Sequence, residues 1–211
     1  MIDWDNQKGV NLYHMDCMEM MASMPDNWAD LAIVDPPYGI GKKLTDGGTW
    51  AAKYSDSDSA WDIAPTGEYF LELVRVSRNR IVWGGNYFTA HIEAARCFIC
   101  WLKPEMLGMH TMADCELALT SFDKNAKIID TTKGGEARIH PTQKPVKLYD
   151  WLLSNYAKPD QRILDTHLGS GSSAIAAHYF GCDFVGCEID ESYYLAAKQR
   201  FDDETRQLTM L

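Results

Sequence analysis

Apolar residues along the chain follow two rhythms that take turns. Short continuous or alternating apolar runs mark strands at residues 10–14, 31–34, 80–83, 97–102, 115–122, 162–165 and 184–188. Elsewhere the apolar positions return every three or four residues, which predicts helices over 18–24, 69–77, 145–156, 172–180 and 192–201. In the third of these the apolar stripe is Val146, Leu148, Trp151, Leu152 and Tyr156. Seven strands separated by helices predict an α/β chain: right-handed crossovers, a mostly parallel sheet and helices on both of its faces. No repeat, low-complexity stretch or Pro/Gly linker divides the sequence, so residues 1–211 are read as one domain. Residues 40–60, rich in Gly, Ser, Thr and Asp, predict a long loop of the kind that is more often functional than idle.

Composition narrows this little. Hydrophobic residues at 46% and charged ones at 24% are ordinary for a globular protein and exclude a disordered chain. No run approaches the roughly 20 apolar residues that cross a bilayer, and Met1-Ile2-Asp3-Trp4-Asp5 is acidic where a secretory signal is basic and then apolar. A cytoplasmic protein with no membrane partner is expected. The six cysteines then read as reduced thiols. Cys97 and Cys100 stand three apart in an apolar strand, hence on opposite faces, and no metal site is expected. The net charge of −10 argues against a nucleic-acid partner, but it is uneven: −8 over residues 1–70, +3 over 71–158 and −5 over 159–211.

In open α/β sheets, ligands bind beyond the carboxyl ends of the strands, and two of these ends carry chemistry. Asp165-Thr166-His167-Leu168-Gly169-Ser170-Gly171-Ser172-Ser173 joins a strand to a helix through a glycine turn, where backbone can approach a ligand closely. It is neither a dinucleotide fingerprint, since position 174 is Ala, nor a phosphate loop, since no Gly-Lys-Ser/Thr follows. A second acid, Glu188, ends the next strand, where nucleoside binders place a carboxylate for the ribose hydroxyls. A ribose, no required phosphate and a cationic end beside an Asp describe S-adenosylmethionine. The other end is Asp35-Pro36-Pro37-Tyr38. Two prolines fix the backbone and end the ladder, presenting a carboxylate, the Pro36 carbonyl and an aromatic ring. Two fixed acceptors suit an exocyclic amino group of a nucleobase. They draw its nitrogen toward tetrahedral geometry and stabilise the charge that develops on alkylation, while Tyr38 stacks on the extruded base.

These segments appear together with Asp16-Cys17-Met18-Glu19-Met20-Met21 and His140-Pro141-Thr142-Gln143-Lys144-Pro145. In that order, over nearly the whole chain, they resemble the amino-methyltransferases of DNA in their permuted β group. The resemblance implies a Rossmann-like, doubly wound, mostly parallel seven-stranded sheet of the class I S-adenosylmethionine-dependent type. It implies cofactor contacts at Asp16, Cys17, Thr142, Gln143, Lys144, Asp165, Gly169, Ser170, Gly171, Ser172 and Glu188. Of these, Asp16 and Cys17 lie toward the adenine, residues 142–144 toward the methionine end, and Glu188 on the ribose. Catalysis falls to Asp35, Pro36, Pro37 and Tyr38, and the partner is double-stranded DNA. Asp rather than Ser at position 35 is similar to the adenine-N6 members more than to the cytosine-N4 ones. Cytosine N4 or an RNA base as acceptor, and a non-catalytic, cofactor-binding subunit of a larger assembly, are the competing readings.

Two departures from the family pattern stand out. His167 replaces the usual aromatic Phe of the turn, and Ser172-Ser173 replace two threonines. The target-recognition region, which follows the strand at 115–122, is reduced to residues 123–139, so no separate recognition domain is expected. Base reading then falls to the 40–60 loop, where Lys42, Lys43 and Lys53 are the candidate DNA contacts, to the segment 124–138, or to a second copy of the chain. The size is compatible with a homodimer, and the recognition sequence is expected to be short or relaxed.

Overall fold

The alternation in β2 (Ala29–Val34) sets the architecture. Leu31 and Ile33 enter one hydrophobic layer, Ala32 and Val34 the other. In this computed structural model the described residues are 2–40, 62–93, 96–103, 113–131 and 143–206. The strands are β1 (Val10–His14), β2, β3 (Ser77–Trp83), β4 (Phe98–Leu102), β5 (Cys115–Thr120), β6 (Lys127–Asp130), β7 (Arg162–Asp165) and β8 (Asp183–Glu188). The helices are α1 (Cys17–Ser23), α2 (Gly67–Val76), α3 (Val146–Tyr156), α4 (Ser172–Phe180) and α5 (Glu191–Arg206). Among the described residues the strands form one sheet in the order β1-β8-β7-β2-β3-β5-β4-β6. Only β5 runs against its neighbours β3 and β4.

All seven expected strands and all five expected helices are present, and the doubly wound arrangement follows. The layer holding Leu31 and Ile33 is filled by Leu148 and Leu152 of α3, by the small residues Ala174, Ala176 and Ala177 of α4, and by Ala197 of α5. The opposite layer takes Met20 and Met21 of α1 and Tyr69, Phe70, Leu73 and Val76 of α2. Small side chains on α4 let that helix lie close to the sheet behind the glycine turn.

The eighth strand, β6, was not expected. It pairs in parallel with β4, from Ile99–Lys127 to Leu102–Asp130. Of its four residues only Ile129 is buried, so Lys-Ile-Ile-Asp shows no alternation long enough to read. β3 also begins three residues earlier than expected, because the polar Ser77, Arg78 and Asn79 precede its apolar run. Its start is fixed by Ser77, whose hydroxyl donates to the last turn of α2 at Leu73 O over 2.5 Å. Cys97 packs against the Tyr156 hydroxyl at 3.5 Å, whereas Cys100 lies beside Cys115. Among the described residues no helix is long and apolar enough to cross a membrane.

The chain leaves β7 for β8 on one side and β2 for β3 on the other. The topological switch point therefore falls between β7 and β2, which pair in parallel at Leu31–Ile163 and Ala32–Leu164. That register places the residues after Val34 and those after Leu164 next to one another at one edge of the sheet, where such folds bind ligands.

Candidate active site

The end of β7 is a knot of backbone hydrogen bonds. Asp165 Oδ1 accepts the His167 amide at 3.0 Å and Oδ2 the Ser173 hydroxyl at 2.6 Å, which closes the turn on the first residues of α4. Gly171, at φ +76°, caps that helix, and Gly169 sits at φ +52°. Both values lie in the left-handed region that glycine enters without strain. Glu188 clamps the turn from β8: its Oε2 accepts Gly169 N at 3.0 Å, and Oε1 accepts Ile189 N at 3.0 Å and Asp190 N at 3.1 Å. Burial lifts the Asp165 carboxyl to about 7 against the pull of its two donors, with Asp35 and Glu188 adding repulsion. Asp165 and Asp35 thus belong to one electrostatic neighbourhood.

At the end of β1, Asp16 caps α1 by accepting Met18 N at 2.8 Å and Glu19 N at 3.1 Å. This places Cys17 and Met18 at the mouth of a cavity of about 300 Å³. Its other walls are Pro37 after β2, the segment 63–66, Tyr69 and His167. Tyr69, Thr166 and His167 form a chain, with Tyr69 OH 2.7 Å from Thr166 Oγ1 and that oxygen 2.9 Å from His167 Nδ1. Burial depresses His167 to about 4, so the ring in the cavity wall is neutral at pH 7.

The end of β2 is built from side chains instead. Tyr38 OH donates to Asp35 Oδ1 over 2.7 Å, and Lys144 Nζ lies 2.5 Å from Asp35 Oδ2. Burial and the Asp35 charge hold the Tyr38 phenol well above its ordinary range, so it remains a donor. Its ring stacks on Tyr87, with centroids 4.9 Å apart and planes at 17°, and packs on Gly84. Gly84 stands at φ +65°, and a Cβ there would meet Tyr38 Cε1 at 2.2 Å. The adjacent ends of β2 and β3 are therefore locked together through a glycine.

The structure thus brings together Asp16, Cys17, Asp35, Pro36, Pro37, Tyr38, Gln143, Lys144, Asp165, Gly169, Ser170, Gly171, Ser172 and Glu188 along one edge of the sheet. Thr142, Lys42, Lys43 and Lys53 lie outside the described residues. The side chain of Lys144, assigned by resemblance to the methionine end, is engaged with Asp35 and Glu116. Several contributors were not foreseen. Arg200 on α5 donates to Ser170 O at 3.1 Å and to Ser172 Oγ at 2.9 Å, bracing the glycine turn from behind. Tyr87, with 46% of its surface exposed, extends the aromatic surface of Tyr38. Tyr87 could have been found, because it follows the glycine stop of a strand, whereas nothing in the spacing of Arg200 marks it.

Residues 81–199, more than half of the chain, match the family model for DNA methylases. The chain belongs to that family. This DNA methylase is 28% identical over 202 residues to the protein YubD of Escherichia coli (strain K12), covering 88% of this chain and 87% of that protein. It is 24% identical over 258 residues to the type II methyltransferase M.ScaI of Streptomyces caespitosus, covering 94% and 83%. Its fold is that of M1.HpyAVI solved in complex with SAM (TM-score 0.61, 19% identity, covering 92% and 99% of the two chains). It is also that of the cytosine-N4-specific PvuII DNA methyltransferase (TM-score 0.62, 13% identity, 95% and 93%). S-adenosylmethionine, the methyl donor of the family, fits the residues of this methylase. The largely apolar slot between Pro37, Tyr69 and His167 suits a purine ring, and the Glu188 carboxylate stands at the neighbouring strand end, the group that a ribose diol would need.

Proposed function

We propose that this DNA methylase acts on the N6 amino group of adenine, with the target base extruded from double-stranded DNA into the site formed by Asp35, Pro36, Pro37 and Tyr38. The observation that carries the reading is the pairing of β2 with β7, which puts the Asp35 acceptor beside the turn at 165–172. Aspartate at position 35 favours adenine over cytosine, by the resemblance of that motif to adenine-N6 enzymes.

The amino nitrogen of adenine is a poor nucleophile because its lone pair is delocalised into the ring. Asp35 and the Pro36 carbonyl each accept one N–H, which localises the lone pair and holds it toward the cofactor side. S-adenosylmethionine supplies an electrophilic methyl group: the nitrogen lone pair forms the new N–C bond as the C–S pair returns to sulfur. The positive charge left on nitrogen is met by the Asp35 carboxylate, and the proton departs to it or to water. A side-chain base is not needed before transfer, and His167, lowered to about 4 by burial, would be a weak one. Tyr38 and Tyr87 together offer the stacking surface for the base. Asp16, Cys17, Gln143, Asp165, Gly169, Ser170, Gly171, Ser172 and Glu188 are proposed to hold the cofactor. Lys42, Lys43 and Lys53 are proposed to meet DNA phosphates in a single domain without a separate recognition module.

Incubation of the protein with labelled S-adenosylmethionine and unmethylated DNA, followed by mass spectrometry of the nucleosides, tests this. N6-methyldeoxyadenosine is the expected product. N4-methyldeoxycytidine would overturn the choice of base, and label confined to RNA would overturn the choice of DNA. Mapping the modified positions should give a site shorter than six bases, because few side chains can reach base edges.

A further inference from the structure

Lys144 is buried far more deeply than a lysine normally is: 2% of its side-chain surface reaches solvent. Its ammonium stands 2.5 Å from Asp35 Oδ2 and 2.9 Å from Glu116 Oε2, with the centre of the Trp83 ring 5.3 Å away. Glu116 is paired on its other side with Lys103. The four charges alternate in a row, from Lys103 through Glu116 and Lys144 to Asp35. Burial opposes the charge on Lys144, yet Asp35 and Glu116 more than offset it, so the ammonium titrates above the ordinary lysine range. Burial likewise opposes the charge on Glu116, and the two lysines hold its carboxyl well below the usual range. Taking such ions out of water costs several kcal/mol each before pairing, and an apolar side chain would fill the same space more cheaply.

We propose that Lys144 is a positioning residue for methyl transfer, fixing the rotation of the Asp35 carboxylate while Glu116 holds the ammonium in place. The proposal deepens the adenine methyltransferase reading and rests on it. A carboxylate at a strand end keeps one free torsion, and a rotated carboxylate aims its lone pairs away from the base. Tyr38 on Oδ1 and Lys144 on Oδ2 remove that freedom from opposite sides. Each oxygen retains a further lone-pair direction for the amino group of the substrate. The buried ammonium is engaged by Asp35 on one side and by Glu116 on the other. Because Glu116 shares that ammonium, Asp35 keeps enough negative charge to meet the cationic nitrogen of the transition state. The pair spans 109 residues, so it also ties the segment before α3 to the end of β2.

Single-turnover methyl transfer at saturating cofactor and DNA tests the proposal alongside calorimetric binding of S-adenosylmethionine. Lys144→Met should slow transfer by roughly 10–10³-fold and leave cofactor affinity nearly unchanged. In Lys144→Ala, added ethylammonium should restore part of the rate. Glu116→Gln should slow transfer less and likewise leave cofactor affinity nearly unchanged. An unchanged rate in Lys144→Met overturns the proposal, and so does a rate loss matched by an equal loss of cofactor affinity, which would make Lys144 a cofactor ligand. Should Lys144→Met fail to fold, Glu116→Gln decides on the same criteria. Wild-type protein that labels no DNA overturns the functional reading itself, an outcome separate from all of these.

Discussion

The ends of β7 and β2 lie side by side but are made by different means. At β7 the turn is closed by carboxylates that accept backbone amides a few residues away, with Glu188 clamping it from the adjacent strand β8. At β2 the carboxylate is held by side chains, Tyr38 from the same turn and Lys144 from 109 residues away. On the proposed mechanism, the first construction shapes a surface that holds the cofactor. The second surrounds the carboxylate that faces the amino nitrogen on which positive charge develops. Oriented backbone amides and ionised side chains can both set the potential at an atom; at Asp35 the side chains of Tyr38 and Lys144 do so.

Substitutions that strike one end alone should separate the two. The largest effect is expected from Asp35→Ala: turnover falls by roughly 10²–10⁴-fold while calorimetric affinity for S-adenosylmethionine stays close to wild type. A comparable loss of cofactor affinity would merge the two ends into one function. Gly84→Ala should come next. Its Cβ cannot coexist with the Tyr38 ring as placed, so turnover should drop by about 10–10²-fold, with a lower Tm as the left-handed backbone is strained. Arg200→Met should act on the β7 end only, weakening cofactor binding by about tenfold through the loosened turn with kcat preserved.

The smallest effect concerns pH. Asp165 titrates at about 7, raised mainly by burial, so between pH 7 and the usual carboxylate range the folded chain takes up this proton before the unfolded chain does. Its contribution therefore favours folding as pH falls and is lost as pH rises through about 7. His167, lowered by burial to about 4, acts in the opposite sense: the unfolded chain is protonated first, and stability falls as pH drops from 6.5 toward 4. In Asp165→Asn the Tm should decline more steeply between pH 7 and 5 than in wild type, and in His167→Phe less steeply. Parallel declines in thermal melts of all three proteins would remove both assignments.

The contrast between the two ends also explains what was readable in the sequence. The β7 turn was legible because its partners are near in sequence and its glycines are demanded by positive φ at 169 and 171. The Asp35-Pro36-Pro37-Tyr38 turn was legible as a set of acceptors, and Tyr38 as a stacking ring, but not Tyr38 as a donor to Asp35. Lys103, Glu116 and Arg200 carried no signal, since a charged residue in a half-buried strand or a surface helix looks the same whether it pairs across the fold or faces water. The strands whose apolar runs are unbroken were placed within a residue or two. β6 escaped because three of its four residues face outward, and its pairing with β4 is visible only in three dimensions.

The pairing of β2 with β7 bears on how the chain is made. A ribosome that has finished Val34 must add about 130 more residues before Leu164 and Asp165 emerge. During synthesis β3 can zip onto one side of Leu31–Val34 early, while the other side of that greasy ladder stays open to any stray strand. The reactive centre then comes into being in the last stage of growth, when the seam between early and late segments closes.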